Sequence, residues 1–156
     1  MDIRDDGKCK LSNFTSYEFI FDDVLCKSME GLLQSFKYEN VNSQEVTCGL
    51  VGLMANKKGL KRDKYWKKKQ YLWWRDKKYK RDSKEYQILL DRAYNSLYQN
   101  EKFRRTLDNI DNIDKDITFT YSVGKDSIKE TTLTIDEFCS RLQYLKDFGE
   151  IPIRDL

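Results

Sequence analysis

Between Asp82 and Leu107 apolar side chains return every three or four residues, at Tyr86, Leu89, Leu90, Ala93, Leu97 and Tyr98. That period puts them on one face of an α-helix. A helix with a single apolar stripe gains its stability by packing that stripe against another element, so this segment is the axis any fold must be built around. Asp82 or Ser83 can cap its start. The stretch Tyr98–Glu101 predicts a break before a second turn that carries Phe103 and Leu107.

Other segments give shorter signals. Phe14–Val24 mixes aromatic and β-branched residues and predicts a short strand or hairpin, FIFDDV, turning at Asp22–Asp23. A helix is predicted from about Lys27 to Tyr38, followed by a loop at Asn40–Ser43. Ser43 reads as the N-cap of a helix running to Met54 or beyond, weakened by Gly49 and Gly52 and closed by Gly59. DNIDNIDKD at Asp108–Asp116 reads as an exposed polar loop, because it lacks the central glycine and closing glutamate of a calcium loop. ITFTYSV at Ile117–Val123 alternates like a strand, with a turn at Gly124–Ser127. Thr134 and Glu137 form a capping box for a last helix with Ile135, Phe138, Leu142 and Leu145 on its apolar side. The whole pattern is α+β, mostly helical with a few short strands. There is no βαβ alternation, P-loop or G-x-G-x-x-G run.

A chain of 156 residues suits one core, here residues 11–148 after an extension at 1–10 and before a tail at 149–156. Apolar residues make up 39% and aromatics 13%, enough for that core despite 35% charged residues. No run approaches the roughly 20 apolar residues that cross a bilayer, and MDIRDDGKCK is too polar for a signal peptide. Cys9, Cys26, Cys48 and Cys139 show no C-x-x-C pair, so neither a metal knuckle nor a disulfide framework is predicted. Reduced cysteines in a cytoplasm are the simplest expectation. There are 0 histidines, which removes Ser–His–Asp and Cys–His catalysis and imidazole metal sites. No cofactor or metal is expected, and acid/base work falls to Asp, Glu, Lys, Tyr or Cys.

The net charge of +3 hides an asymmetry. About half of the 29 basic residues lie between Lys57 and Lys84, opposed there only by Asp63, Asp76 and Asp82. Tyr65, Trp66, Tyr71, Trp73, Trp74 and Tyr79 are interleaved with them. Cations bind phosphates and aromatic faces stack on bases, so the block suits a nucleic acid or nucleotide-like ligand. The other reading is a solvated lysine face whose aromatics point into the core.

SMEGLLQSFKY at Ser28–Tyr38 sets Glu30, Gln34 and Lys37 at i, i+4 and i+7, one face of a helix after two turns. Leu25, Met29, Leu32, Leu33 and Phe36 form the stripe beside them. A carboxylate and an amine held close can carry acid/base or Schiff-base chemistry, while an ordinary polar helix side accounts for the same spacing.

Four segments in order resemble the NADAR family, the YbiA-like N-glycosidases. They are LSNF at Leu11–Phe14 with SMEGLLQSFKY, GLMANKKG at Gly52–Gly59, the stretch Trp73–Leu107, and Ser122–Leu145. The resemblance implies a compact single-domain YbiA-like fold and an N-glycosidase that removes ADP-ribose from guanine bases of nucleic acid. Its alternatives are a glycosidase acting on a ribosylated riboflavin intermediate and a non-catalytic nucleic-acid-binding module. It also implies ADP-ribose or ADP-ribosylated nucleic acid as partner, with a cognate ADP-ribosylating toxin, and hence an antitoxin or phage counter-defence role. By motif, Glu30 and Lys37 become catalytic, while Asn13, Phe14, Gln34, Trp74 and Arg81 become substrate-binding. Glu30 would stabilise the sugar cation or activate water, and Lys37 would attack an opened ribose. Asp76 replaces a glycine and Tyr121 a histidine of the pattern, both of which bear on substrate positioning.

Overall fold

Two adjacent aspartates make the first tight feature. In the computed structural model, which describes residues 11–110 and 127–155, Asp22 (φ 47°) and Asp23 (φ 66°) are both left-handed. Two successive positive φ values are what a two-residue hairpin turn requires, and a short polar side chain tolerates them. The turn joins β1 (Phe19–Phe21) to β2 (Val24–Cys26), with Phe19 opposite Cys26 and Ile20 opposite Leu25. Alternation buries Phe19, Phe21 and Cys26 and leaves Ile20 and Leu25 on the outer side.

Helix α1 (Met29–Ser35) follows and is buried throughout. The Ser28 hydroxyl accepts the Gly31 N–H at 3.0 Å and fixes its start. The helix is shorter than the predicted Lys27–Tyr38. Its last turns tighten into three-residue bonds, from Phe36 N–H to Leu33 O, Lys37 N–H to Gln34 O and Tyr38 N–H to Ser35 O. Helix ends commonly tighten this way.

The next predicted helix is two helices. Asn40, not Ser43, caps α2 (Val41–Cys48), accepting the Ser43 N–H at 3.0 Å. Gly52, at φ +51°, turns the chain into α3 (Gly52–Leu60). Gly59 lies inside α3 instead of closing it. Helix α1 packs tightly on α2, because a Cβ on Gly31 would stand 2.6 Å from Leu50 O and 2.9 Å from Thr47 O.

Three further elements occupy the lysine-rich stretch. Helix α4 (Asp63–Lys69) ends at left-handed Gln70. The antiparallel pair β3 (Tyr71–Trp74) and β4 (Lys77–Lys80) then sets Trp73 opposite Lys78 and Leu72 opposite Tyr79. The helical axis is α5 (Lys84–Tyr98), capped by Ser83 and buried along Tyr86, Leu89, Leu90, Ala93, Tyr94 and Leu97. Asn100 breaks it and caps α6 (Glu101–Asp108). The capping box of Thr134 and Glu137 opens α7 (Ile135–Phe148) as predicted.

Trp74 anchors the core, stacked on Phe21 at 5.3 Å and edge-on to Phe36 at 5.7 Å. Such pairs add about 0.5–1.5 kcal/mol to the burial of their area. The molecule is a compact, mostly α-helical α+β domain with two short hairpins among the described residues. The predicted strand Ile117–Val123, most of the predicted loop and turn on either side of it, and Tyr121 lie outside the described residues.

Candidate functional site

Helix α1 turns one side toward a cavity of about 210 Å³. Glu30 and Gln34 reach it from α1, Asn13 and Phe14 from the loop before β1, and Asn56 and Leu60 from α3. Lys37, Asp63 and residues 130–133 complete the lining.

Glu30 is 3% exposed. One of its carboxylate oxygens accepts the Gln34 amide at 2.7 Å and the Asn56 amide at 3.5 Å. That contact fixes which end of the Gln34 amide faces Glu30, since the reverse would set two oxygens together. The other end, Oε1, has no hydrogen-bond partner. It packs on the Cα of Gly59, at the place a Cβ there would occupy. Gly59 is therefore kept small by Gln34, and a weak Cα–H contact is what its oxygen receives.

Asn13 is nine-tenths buried or more and is tied on one side only. Its Oδ1 accepts the Tyr94 hydroxyl at 3.0 Å, and its Nδ2 has no partner. Turning the amide over would strand the oxygen instead, so one polar atom stays unmatched in either orientation. Burial pushes the Tyr94 hydroxyl pKa far up, which keeps it a donor. The Asn13 backbone carbonyl also accepts the Glu30 N–H at 3.0 Å, joining the loop to the first turn of α1.

Lys37 lies past the end of α1, yet its ammonium reaches Asp63 Oδ1 at 2.6 Å. Asp63 also accepts the Trp66 indole N–H at 3.3 Å and faces Lys67 at 4.0 Å. Burial pulls the Lys37 pKa below the usual lysine value, against the opposing pull of Asp63 and Glu30.

Two backbone carbonyls of the lining are held by buried side chains of the fold. The Tyr86 hydroxyl donates to Thr132 O at 2.7 Å and Arg81 Nε donates to Thr131 O at 2.8 Å. The Arg81 guanidinium also grips Glu137 with two bonds, of 3.0 and 2.6 Å. Burial alone would raise the Glu137 pKa, but the Arg81 bonds and charge, with Gln87 and the Thr134 N–H, hold it below the ordinary carboxylate value.

Five of the seven residues singled out from the sequence, Asn13, Phe14, Glu30, Gln34 and Lys37, thus line one cavity. The other two do not. Trp74 is a core ring whose indole N–H donates to Asp22 at 2.8 Å, and Arg81 is 1% exposed, tied to Thr131 and Glu137. Asn56, Asp63 and residues 131–133 also line the cavity, and sequence reasoning passed over them. Asp63 carried a faint signal as one of three acids in the basic block.

The aromatics of that block mostly serve the core. Trp66, Trp73, Trp74 and Tyr79 are buried. Tyr65 is exposed, with Trp73 stacked at 5.9 Å on one side and Arg62 at 4.2 Å from its ring. Most rings of the block are packed into the fold while the lysines of β4 stay exposed, so the interleaving is not a row of open stacking platforms. Among the described residues no cluster of acids and cysteines could hold a metal, and no helix is long and apolar enough to cross a membrane.

Comparison with known proteins corrects the family reading. Residues 7–147 match the family model described as Bacteriophage protein GP30.3. The chain is 31% identical over 141 residues to a protein of Enterobacteria phage T4 described as "Uncharacterized 17.1 kDa protein in Gp30-rIII intergenic region", covering 89% of this chain and 90% of the relative. No solved structure matches. The NADAR assignment is overturned by these matches. With it fall the N-glycosidase activity on ADP-ribosylated guanine or a riboflavin intermediate and the toxin-reversal role.

Proposed function

The chain belongs to the bacteriophage protein GP30.3 family, and we propose that within it this protein is a small-molecule-binding protein whose ligand occupies the cavity beside α1. The observation that carries the reading is Asn13. A buried amide with one unmatched polar atom costs about 1–3 kcal/mol, and native proteins rarely keep such a group without a use for it. A ligand atom hydrogen-bonded there recovers that cost on binding.

The surroundings support the same reading. Glu30 and Lys37 present an acceptor and a donor from opposite ends of one short segment, and Phe14 and Leu33 supply apolar surface in the same lining. A concave site with a few convergent polar groups on apolar walls is the usual form of a ligand pocket. Its volume of about 210 Å³ falls under the range for drug-sized ligands, which points to a small polar metabolite. The rigid supports of the lining, Arg81–Glu137 and Tyr86–Thr132, hold the pocket in shape before a ligand arrives. Free Cys26, Cys48 and Cys139 support a reducing compartment, the cytoplasm of the phage's host.

The test is a fragment screen of small polar compounds followed by amide chemical shifts. Binders should perturb the resonances of Asn13, Gln34 and Asn56 together and raise the melting temperature. Asn13→Leu and Asn56→Ala, each checked for a folded spectrum, should weaken the same compounds by about 5- to 100-fold, the span of one lost polar contact. Fragments that bind only elsewhere, or equally well to both variants, refute the reading.

A further inference from the structure

We infer that the ligand of this cavity is a neutral cyclic polyol of about monosaccharide size that bears no phosphate, an inference that rests on the pocket reading above. Formal charge is the first argument. Among the described residues, Glu30, Asp63 and Glu130 line the cavity against the single cation Lys37. Lys67, which does not line it, lies 4.0 Å from Asp63 and 3.5 Å from Glu130. Even with Lys67 counted, acids outnumber bases. The Lys37 ammonium is also engaged with Asp63 at 2.6 Å. A phosphate or carboxylate entering here would have to displace Asp63 and then stand among like charges in a partly buried site, where repulsion is screened least.

Hydrogen-bonding character is the second argument. Asn13 offers an N–H, or a carbonyl if the amide turns over. Glu30 can only accept, and Lys37 can only donate. An ammonium ligand satisfies Glu30 but meets the N–H groups of Asn13 and Lys37 with nothing to offer them. An anion has the opposite failing. A hydroxyl both donates and accepts, so a ring carrying several hydroxyls can answer all three residues without a net charge.

Shape completes the case. Phe14 and Leu133 face the same space of about 210 Å³ as the polar groups. A cyclic polyol presents C–H faces between its hydroxyls, and these match apolar walls while the equatorial groups reach the polar ones. A flat, fully polar ligand would leave the Phe14 and Leu133 surfaces wet, losing the gain of covering them.

The experiment titrates full-length protein with a panel of neutral monosaccharides and cyclitols, the monophosphates of the same compounds, and 1,4-diaminobutane. Binding is read from amide shifts and melting temperature. At least one neutral polyol should bind saturably at the Asn13 resonances, and its monophosphate should bind tenfold more weakly or worse. Asp63→Asn should narrow that gap by removing one of the repelling charges. A monophosphate that binds as tightly as its parent, or binding of the diamine alone, overturns the polyol inference and leaves the pocket standing. If the polyols are silent while another fragment occupies the cavity, the polyol inference falls alone. If neither the panel nor the broader fragment screen finds anything in the cavity, both fall.

Discussion

Gly31→Ala should destabilise the protein although it puts a better helix former inside a helix. Alanine gains about 1 kcal/mol over glycine in a helix interior. Here its Cβ would stand 2.6 Å from Leu50 O and 2.9 Å from Thr47 O, where ordinary contact begins at 3.4 Å. Relief needs close to an ångström of separation, and both neighbours are backbone. Leu50 O accepts the Ser28 hydroxyl at 3.1 Å, and Thr47 O accepts the Leu50 N–H at 3.0 Å, so neither retreats freely. Overpacking of this kind costs about 1–3 kcal/mol, with rigid neighbours at the upper end. After the helix gain is subtracted, the net loss is about 1–2 kcal/mol, or about 2–8 °C in melting temperature for a chain of this size. Gly49→Ala is the matched control. Gly49 has an ordinary φ of −79° and its Cβ would meet nothing nearer than 3.4 Å, so alanine there should stabilise by about 0.4–1 kcal/mol. Urea denaturation of the two variants beside wild type measures both signs. A Gly31→Ala protein as stable as wild type, or two variants shifting the same way, would refute the close-approach argument.

Three further outcomes can be measured by the same method. Glu137→Gln strands a buried Arg81 and should cost about 3–5 kcal/mol at neutral pH. The Glu137 contribution is full above the ordinary carboxylate value of 4.5 and drains as pH falls through its lowered value, so the variant should also show a flatter acid limb. Lys37 titrates below its usual 10.5, so between the lowered value and 10.5 the folded state binds fewer protons than the unfolded, and stability gains from rising pH. Lys37→Met should lack that gain when unfolding is compared at about pH 8 and about pH 10. Asn100→Ala removes the cap of α6, whose carboxamide accepts the Phe103 N–H at 3.0 Å, and should cost about 1 kcal/mol.

Elements with strong local signals could be read from the sequence, and those set by tertiary contact could not. The α5 stripe, the Asp22–Asp23 turn and the Thr134–Glu137 box each depend on residues a few positions apart. The α2–α3 boundary depends on a positive φ at Gly52, which residue type permits but does not announce. Gly59 reads as a helix end because glycine usually marks one, and it is the penultimate residue of α3, but its missing Cβ also leaves room for Gln34, 25 positions earlier in the chain. The β3–β4 hairpin hid in a lysine run. Lys78 and Lys80 alternate outward opposite Trp73 and Tyr71, and so many charges read as a featureless surface.

The family misreading has a physical source as well. Motif matching treats each shared residue as a vote for function, but packing can impose the same residues. Trp74 fills the core against Phe21 and Phe36, and its indole is used up on Asp22. Arg81 is spent on Glu137 and Thr131. Both would be required by a fold of this shape whatever it bound. Gly31 and Gly59, inside two of the matching segments, are fixed by backbone and side-chain approach. What packing leaves unexplained is narrower: an Asn13 amide with an unmatched atom, beside a carboxylate and an ammonium around one cavity. Glu30→Gln separates the two kinds of constraint. Gln34 donates to that side chain already, and an amide of equal shape keeps an acceptor for it. Packing alone therefore predicts a nearly unchanged melting temperature, and the ligand reading predicts that polyol binding drops by about tenfold as a charged acceptor becomes a neutral one. A variant that binds the polyol unchanged would show that Glu30 belongs to the fold and not to the site.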